Sequence, residues 1–332
     1  MPRVFVTGAT GVIGRALVAE LRARGADVVG LARSGAAAST LAAEGIEVAR
    51  GDVLDEEALA AGMRGCETVY HVAGVNSLCP SDREELFRVN VTGAERVVGA
   101  AARAGVPRVV NTSSAASIGE APGTVGREDS PHRGWFLSSY EQSKLEGERA
   151  AFAAGRRLGI EVVAVNPASV QGPGRASGTG KILLALADGR LRAFLDTQIS
   201  LVDIGDCVDG HLLAQEHGKP GERYVLCGVT LSSAEAIQIV HEVAGIGGRT
   251  WMVPASLARA LAPAVEGAFR AARRNPPVCR EMVRTLLHGH VYDGSKAARD
   301  LGLQYTPARE TLRRTIEWAA EQGLVAPARR SS

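Results

Sequence analysis

A tyrosine and a lysine four positions apart form the chain's clearest set of side chains for proton transfer. Tyr140 and Lys144 lie in the segment Tyr-Glu-Gln-Ser-Lys, at the start of a stretch with helical character. Residues four apart share one face of a helix, so the ammonium of Lys144 is expected to favour the phenolate and lower the pKa of Tyr140. Such a tyrosine can give a proton to a carbonyl oxygen or take one from an alcohol. A helix face that carries an aromatic and a solvated lysine by chance is the alternative.

Two serines follow a buried strand pattern and offer hydroxyls for the substrate oxygen. The segment Asn111–Ala115 ends an apolar run, and open α/β sheets bind ligands at the carboxyl ends of their strands. A hydroxyl there can hydrogen-bond a substrate oxygen and stabilise the charge that develops on it. Successive side chains alternate sides, so one of Ser113 and Ser114 is expected to face the site. A nucleophilic serine is the competing hypothesis, but the sequence has no Gly-x-Ser-x-Gly motif and no histidine placed to serve one.

A glycine-rich turn, Thr7–Gly14, joins the first strand pattern to the first helix pattern. Glycines at 8 and 11 permit a tight turn and close approach to a pyrophosphate, and Gly14 lets the helix lie against the strand. The helix then directs free N–H groups and the positive end of its dipole at the phosphates. We therefore predict a dinucleotide site, although a turn with incidental glycines remains an alternative. The predicted contacts are Gly8, Thr10, Gly11, Val12, Ile13 and Gly14.

The ends of the next two strand patterns indicate which dinucleotide binds. The segment Val28–Arg33 holds no acid to grip a ribose 2′-hydroxyl, whereas Arg33 suits a 2′-phosphate. We therefore predict NADP(H), with NAD(H) as the alternative and a solvated Arg33 as the competing interpretation. Farther on, Asp52 is expected to accept from the adenine amino group while Val53 packs on the ring. A helix-capping Asp52 ahead of Glu56-Glu57 explains the local sequence equally well.

The elements that position these residues alternate between short β-branched runs and longer amphipathic stretches. This alternation predicts βαβ units and an α/β fold with a doubly wound parallel sheet, the Rossmann arrangement, over residues 1–166. Residues 167–328 are expected to form a smaller mixed substrate-binding region, part of which returns to the sheet, before a tail at 329–332. Strands are predicted at 4–7, 28–31, 46–49, 68–71, 109–112, 161–165 and 200–204, and helices at 12–24, 56–63, 83–104, 140–158 and 182–188.

Composition excludes several classes of function. The 332 residues include 38 Lys and Arg against 36 Asp and Glu, a net charge of +2, so we expect no nucleic-acid partner and no membrane association. Aromatic residues make up 4%, which argues against a surface that stacks bases. The sequence shows no signal-peptide pattern and no run of 18 apolar residues, so a cytoplasmic protein is expected.

Cysteine and histidine positions predict neither a disulfide nor a metal site. The five cysteines are odd in number, far apart in sequence and without a Cys-x-x-Cys pair, so reduced thiols are expected. They are Cys66, Cys79, Cys207, Cys227 and Cys279. His288-Gly289-His290 is the closest pair of histidines in the sequence, and a surface turn explains it better than a metal.

The glycine turn, the strand-end serine and Tyr140-x-x-x-Lys144, in this order, resemble the extended short-chain dehydrogenase/reductase superfamily, the NAD-dependent epimerase/dehydratase family. The likeness covers nearly the whole chain. It is strongest to dihydroflavonol-reductase-like and hopanoid-associated sugar-epimerase-like members, through Thr112–Ala115 and the segments 195–197 and 210–214. Other similar segments are Asp52-Val53, His71–Gly74, Asn90–Gly93, Asn166-Pro167, Gly172-Pro173 and Asp293–Gly302.

The resemblance implies roles for individual residues. Ser114, rather than Ser113, falls at the family's catalytic serine, Tyr140 at the acid/base, and Lys144 at the residue that holds the nicotinamide ribose and tunes the tyrosine. Further cofactor contacts are expected from Val72, Ala73, Gly74, Asn90, Thr112, Pro167, Ser169 and Val170. The substrate pocket is expected to include Leu78, Trp135, Phe136 and Gln171, and its apolar character favours a hydrophobic or moderately polar small molecule.

Departures from the family pattern argue against a nucleotide-sugar substrate. Ala115-Ala116-Ser117 replaces the acidic pair that sugar-nucleotide dehydratases carry after the serine. The Tyr-Gly-Pro-Arg stretch of many epimerases appears here as Gln171–Gly174. A diphosphate needs fixed cations, and the nearby candidates, Arg175, Arg190 and Arg192, are more simply explained as solvated side chains.

These observations together predict an NADP(H)-dependent enzyme that reduces a ketone or aldehyde of a small, fairly apolar molecule, or runs the reverse oxidation. A homodimer through helices 83–104 and 140–158 is expected, as in relatives. An NAD-retaining nucleotide-sugar epimerase is the first alternative. A non-catalytic NADP-sensing or scaffold protein is the second, but such proteins tend to lose the tyrosine or the lysine, and this chain keeps both.

Overall fold

The computed structural model describes residues 1–247 and 249–326, in which strands and helices alternate along most of the chain. The strands are β1 (Arg3–Thr7), β2 (Asp27–Ala32), β3 (Glu47–Arg50), β4 (Thr68–His71), β5 (Arg108–Thr112), β6 (Val125–Gly126), β7 (Glu161–Pro167), β8 (Ser169–Gln171), β9 (Ala193–Leu195), β10 (Gln198–Asp203), β11 (Arg223–Leu226), β12 (Val229–Ser232), β13 (Trp251–Val253) and β14 (Val291–Tyr292). The predicted tail at 329–332 lies outside the described residues.

Helices cover both faces of the central sheet, and in the second half of the chain they alternate with short strands. They are α1 (Val12–Ala23), α2 (Gly35–Ala43), α3 (Glu56–Gly62), α4 (Arg83–Phe87), α5 (Gly93–Ala104), α6 (Ser139–Leu158), α7 (Thr179–Ala187), α8 (Ile204–His217), α9 (Ser233–Ala244), α10 (Ala255–Ala271), α11 (Arg280–His288), α12 (Ser295–Leu301) and α13 (Ala308–Glu321). A π-helical turn, Arg88–Thr92, joins α4 to α5, and a 3₁₀ helix, Ala115–Ile118, follows β5.

Seven parallel strands form the central sheet in the order β11-β7-β5-β4-β1-β2-β3. Parallel sheets are covered by helices on both faces, so their strands are nearly continuous apolar runs. Phe5 and Val6 in β1 and Val109 and Val110 in β5 are fully buried in this way. The prediction of an α/β fold with a doubly wound parallel sheet is confirmed.

The second half of the chain contributes both to this sheet and to a separate core. β11 lies beside β7, with Tyr224 opposite Val165, so the chain does return to the sheet after residue 167. Smaller sheets are formed by β12-β10-β8, β13-β9 and β14-β6. Leu183, Val240 and Ile316 pack together between α7, α9 and α13. In the part of the chain that the structure describes, none of the helices has the length and apolar character needed to span a bilayer.

Two of the five cysteines are paired, which corrects the expectation of reduced thiols throughout. Cys79, in the segment between β4 and α4, forms a disulfide with Cys279, the residue before α11, across a sequence separation of 200. Cys66, Cys207 and Cys227 are free and buried. The prediction failed because the fold, rather than a local motif, brings these two distant segments together.

Candidate active site

The turn between β1 and α1 has the geometry that its glycines predict. Gly8 has φ +69°, which side chains with a Cβ rarely adopt, and a Cβ there would lie 2.7 Å from the Ala73 backbone nitrogen. A Cβ at Gly14 would collide with the Gly8 carbonyl oxygen, so α1 packs directly on the turn. Gly11 is the N-cap of α1, and no side chain among the described residues caps the helix. Its first N–H groups are therefore available to an anion, and the turn fits a dinucleotide pyrophosphate.

Thr7 fastens this turn to the segment after β4. Its hydroxyl oxygen accepts hydrogen bonds from the backbone N–H groups of Val72 and Ala73, each at 3.1 Å. The same oxygen lies 2.8 Å from Nδ1 of His71. Burial, aided by the charge of Lys144, lowers the pKa of His71 to about 3. The ring is therefore neutral, and the predicted cofactor segment 72–74 lies against the glycine turn.

Asn90, in the π-helical turn, connects that segment to α6. Its Oδ1 accepts from the Val75 N–H at 2.8 Å, and its Nδ2 donates to the Val75 carbonyl at 3.0 Å and to Ser143 Oγ at 2.9 Å. The single helix predicted over 83–104 is thus interrupted at a residue whose carboxamide is fully engaged within the protein. Asn90 acts here by holding the loop before Leu78 against the helix that carries Tyr140 and Lys144.

Lys144 reaches across from α6 to the end of β5. Its Nζ donates a hydrogen bond of 2.7 Å to the carbonyl oxygen of Thr112. Burial lowers the pKa of Lys144 to about 8, although the Glu148 carboxylate partly opposes this effect. The Thr112 hydroxyl is directed elsewhere, 2.8 Å from Nε2 of His211, whose Nδ1 donates to the Cys207 carbonyl. Lys144 can therefore exchange a proton near neutral pH.

Tyr140 lies one helical turn before Lys144 on α6, and Ser114 acts on it. Burial raises the pKa of Tyr140, while a hydrogen bond with the Ser114 hydroxyl and the charge of Arg175 act in the opposite direction. The prediction that Lys144 lowers the pKa of Tyr140 is wrong, because the ammonium is directed at the β5 carbonyl and burial has the larger effect. Ser113 is turned toward Ser117, with 3.4 Å between the hydroxyls, so Ser114 is the serine on the Tyr140 side.

Comparison with known proteins decides the family. The model of the NAD dependent epimerase/dehydratase family matches residues 4–227, about two thirds of the chain. The chain belongs to this family. The resemblance inferred from the sequence is thus confirmed, and the family is described as NAD dependent.

Several known proteins match this chain over nearly the full length of both sequences. Sterol demethylase protein B of Methylococcus capsulatus is 34% identical over 97% of this chain and 99% of its own. A putative dihydroflavonol 4-reductase of Synechocystis is 32% identical over 97% and 95%. A ketoreductase of a farnesyl-dihydroquinoline oxide from Stigmatella aurantiaca is 30% identical over 90% and 91%. The crystal structure of gox2253 superposes with a TM-score of 0.85 at 29% identity, covering 98% of this chain and 100% of that chain.

In this epimerase/dehydratase member, Arg33 and Asp52 are neighbours at the ends of β2 and β3. Arg33 is 71% exposed, and its Nε lies 3.9 Å from Asp52 Oδ2. The Asp52 carboxylate accepts from the Leu54 N–H at 3.0 Å, whereas Asp55 is the N-cap of α3. The interpretation of Asp52 as the helix cap is therefore wrong. Val53 is buried against Gly93 at the start of α5.

A buried network that the sequence did not suggest supports α6. Asn166 Nδ2 donates to Glu148 Oε2 at 2.6 Å, to Ser117 Oγ at 3.0 Å and to the Ser114 carbonyl at 3.2 Å. Glu148 also pairs with Arg223, at 3.1 Å. Glu148 follows Lys144 by four residues, as Lys144 follows Tyr140, so helical spacing would have pointed to it.

One of the four residues predicted for the substrate pocket, Leu78, lines a cavity beside the start of α6. Leu78 lines a cavity of about 740 Å³ that also contacts Ser139, the neighbour of Tyr140, and Glu281 of α11. Trp135, Phe136 and Gln171 do not line this cavity. Trp135 is half exposed and lies under the Arg133 guanidinium, while Phe136 contacts His132. Gln171 donates to Ser169 and Thr179, and Pro167 and Val170 are buried nearby.

Arg175 differs from the two other cations considered for a diphosphate. Arg190 is 65% exposed and pairs with Asp188, and Arg192 is exposed, as expected of solvated side chains. Arg175 is partly buried instead, and its Nε has no hydrogen-bond partner among the described residues. Burial lowers the pKa of Arg175, and attraction to Tyr140 opposes that effect. The interpretation of Arg175 as solvated is therefore wrong.

Removing the charge of Arg175 is expected to shift the pH dependence of kcat/KM. Because this charge lowers the pKa of Tyr140, Arg175→Met should raise it. In the reaction that we propose below, reduction needs the phenol form of Tyr140 and oxidation needs the phenolate. As the pH rises, kcat/KM for reduction falls and kcat/KM for oxidation rises. Both transitions should therefore move to higher pH in this variant. Arg190→Met, which removes an exposed cation, is the matched control. Unchanged limbs in the Arg175 variant would show that this charge does not act on Tyr140.

Proposed function

We propose that the protein is an NADP(H)-dependent reductase that converts a ketone or aldehyde to an alcohol, or catalyses the reverse oxidation. The observation that carries the proposal is that α6 brings Tyr140 and Lys144 to the carboxyl end of β5. The Ser114 hydroxyl acts to lower the pKa of Tyr140, and Lys144 donates a hydrogen bond to the Thr112 carbonyl. This trio matches the proton-transfer set that the family resemblance implies.

In the proposed reaction, Ser114 and Tyr140 hydrogen-bond the carbonyl oxygen and stabilise the charge that develops on it. The bound nicotinamide supplies hydride in reduction and accepts it in oxidation. Tyr140 gives its proton to the oxygen, and Lys144, with a pKa of about 8, is suited to restore that proton. The glycine turn, the 72–74 segment and Lys144 would hold the cofactor.

The names of relatives support a small carbonyl or alcohol substrate with a large apolar part. One relative is named as a dihydroflavonol reductase and another as a ketoreductase of a farnesylated quinoline. The test is NADPH oxidation, followed by absorbance, with a panel of apolar ketones that includes a dihydroflavonol. Stoichiometric NADPH consumption with alcohol formation supports the proposal. Absence of turnover with every class of ketone and aldehyde in the panel contradicts it.

An epimerase that retains its cofactor is the second candidate, and the matching family model favours it by name. Such an enzyme oxidises and re-reduces one substrate, so it consumes no net cofactor. Copurified NAD, and conversion of a nucleotide sugar without added NADPH, would favour the epimerase.

We also retain the proposal of a homodimer through α5 and α6. Sedimentation as a monomer at micromolar concentration would exclude it.

Arg33→Ala tests the proposed choice of cofactor. A charge-assisted hydrogen bond to the 2′-phosphate contributes about 1.5–3 kcal/mol, so the Kd for NADPH should rise by about 10–100-fold. The Kd for NADH should stay within about twofold, because NADH lacks that phosphate. Arg15→Ala, which removes an exposed cation from α1, is the control. Equal changes for the two cofactors in the Arg33 variant would refute the assignment; fluorescence titration measures both constants.

A further inference from the structure

Three side chains able to ligate a metal meet away from the proposed catalytic groups. Glu120 follows the 3₁₀ helix after β5, His288 ends α11, and His290 precedes β14. Glu120 Oε1 lies 2.6 Å from His290 Nδ1 and 3.3 Å from His288 Nε2. The three side chains are 1%, 4% and 14% exposed. His288-Gly289-His290 is therefore not the surface turn that the sequence suggested.

The charge balance at this cluster favours a cation. The Glu120 carboxylate is buried, and its Oε1 is the atom that both imidazoles approach. Arg133 is adjacent, yet it donates to the Glu120 backbone carbonyl and pairs its charge with Glu141. Glu120 Oε2 has no hydrogen-bond partner among the described residues. A buried carboxylate that has an oxygen without a hydrogen-bond partner is costly unless a positive charge joins it, and a metal ion held by the two neutral imidazoles would supply that charge.

The ligand set is the one that zinc prefers. Two imidazole nitrogens and a carboxylate, with a fourth position for water, form a common tetrahedral Zn²⁺ site. Metal–ligand bonds of about 2.0–2.2 Å place neighbouring ligand atoms about 3.3 Å apart. His288 and Glu120 already have that spacing, and His290 must withdraw by several tenths of an ångström. The Tyr292 hydroxyl lies 2.8 Å from His290 Nδ1, so this hydroxyl would turn away from the ring when that nitrogen ligates the metal.

We propose that Glu120, His288 and His290 form a binding site for a divalent transition metal of the zinc type. The ion would link segments 170 residues apart and fix the end of α11 to the sheet edge. At its other end, α11 carries Glu281, which accepts from the Ser139 N–H at 2.8 Å and the Ser139 hydroxyl at 2.9 Å. Ser139 precedes Tyr140. The metal would therefore stabilise α11, which supports the start of α6, without contacting the reacting atoms.

Cobalt substitution tests the site without any need for turnover. Full-length protein is dialysed against EDTA and then titrated with CoCl₂, whose d–d bands report tetrahedral coordination by nitrogen and oxygen. We expect one equivalent of Co²⁺ to bind at micromolar concentration, to be displaced by Zn²⁺, and a Tm increase of about 5 °C at 100 times the Kd for Zn²⁺. Absence of the bands and of the Tm shift in wild-type protein would overturn the proposal.

Two variants assign the ligands. Glu120→Gln keeps the shape but removes the charge, and His288→Gln removes one imidazole, so each should weaken Co²⁺ binding by more than about 100-fold. His217→Gln, at a half-exposed position on α8, is the matched control and should bind as wild type does. X-ray absorption of the zinc-loaded wild type should show two imidazoles, and it decides the matter even where a variant fails to fold. Wild-type affinity in both variants, or a zinc shell without histidine, would refute the site.

Discussion

Tyr140→Phe is expected to lower kcat by about 10²–10⁴-fold while the Kd for NADPH stays nearly unchanged. The substitution removes the hydroxyl that gives the proton and nothing else from the side chain. In the proposed function, other groups hold the cofactor, namely the glycine turn and Lys144, whose hydrogen bond goes to the Thr112 carbonyl. Steady-state turnover with the best ketone of the panel measures kcat, and fluorescence titration measures the Kd.

A second tyrosine provides the control for this experiment. Tyr305→Phe also removes a phenol hydroxyl, one that donates to the Gly294 carbonyl at 3.0 Å and belongs to no proposed catalytic group. Its kcat should remain within about twofold of wild type, because general acid–base catalysis requires direct contact with the reacting oxygen. Turnover of Tyr140→Phe at the rate of the Tyr305 variant would remove Tyr140 from the mechanism.

Of the substitutions that we propose, Gly14→Ala is expected to weaken NADPH binding the most. The added methyl group would collide with the backbone carbonyl of Gly8, which cannot rotate away as a side chain can. The turn must therefore shift, at a cost of about 1–3 kcal/mol in stability. Loss of one or two charge-assisted hydrogen bonds from N–H groups to the pyrophosphate should raise the Kd for NADPH by about 10²-fold.

Gly99→Ala separates this local collision from a general effect of adding a methyl group. A Cβ at Gly99, inside α5, would meet no neighbour within 4 Å, so the variant should bind cofactor normally and gain about 0.5–1 kcal/mol in stability. Thermal unfolding and NADPH titration of the two variants give the comparison. An unchanged Kd in Gly14→Ala would show that the turn does not hold the cofactor.

Features that depend only on short stretches of sequence were predictable. The β-branched runs of β1 and β5, the glycines of the first turn and the spacing of Tyr140 and Lys144 are local patterns, and each element formed within a few residues of its predicted bounds. Helix α2 was missed because Gly35–Ala43 lacks an amphipathic period; Ser34 caps it by accepting from the Ala37 N–H.

Features that depend on distant segments were not predictable by the same reasoning. Cys79 and Cys279 meet because α11 packs near the loop after β4, and Glu120 meets His288 because β14 pairs with β6. The direction of Lys144 toward a strand carbonyl likewise depends on how α6 crosses the sheet. The helical spacing put Lys144 on the same face of α6 as Tyr140. It could not predict that burial would have the largest effect on the pKa of Tyr140.

A crystal structure of the protein with NADP⁺ tests the central proposal most directly. We expect the pyrophosphate at the Gly8–Gly14 turn, the 2′-phosphate beside Arg33, and the nicotinamide within reach of the Tyr140 hydroxyl, with Lys144 on its ribose. Density for the nicotinamide far from Tyr140, or a reactive carbon enclosed by protein with no room for a carbonyl substrate, would contradict it.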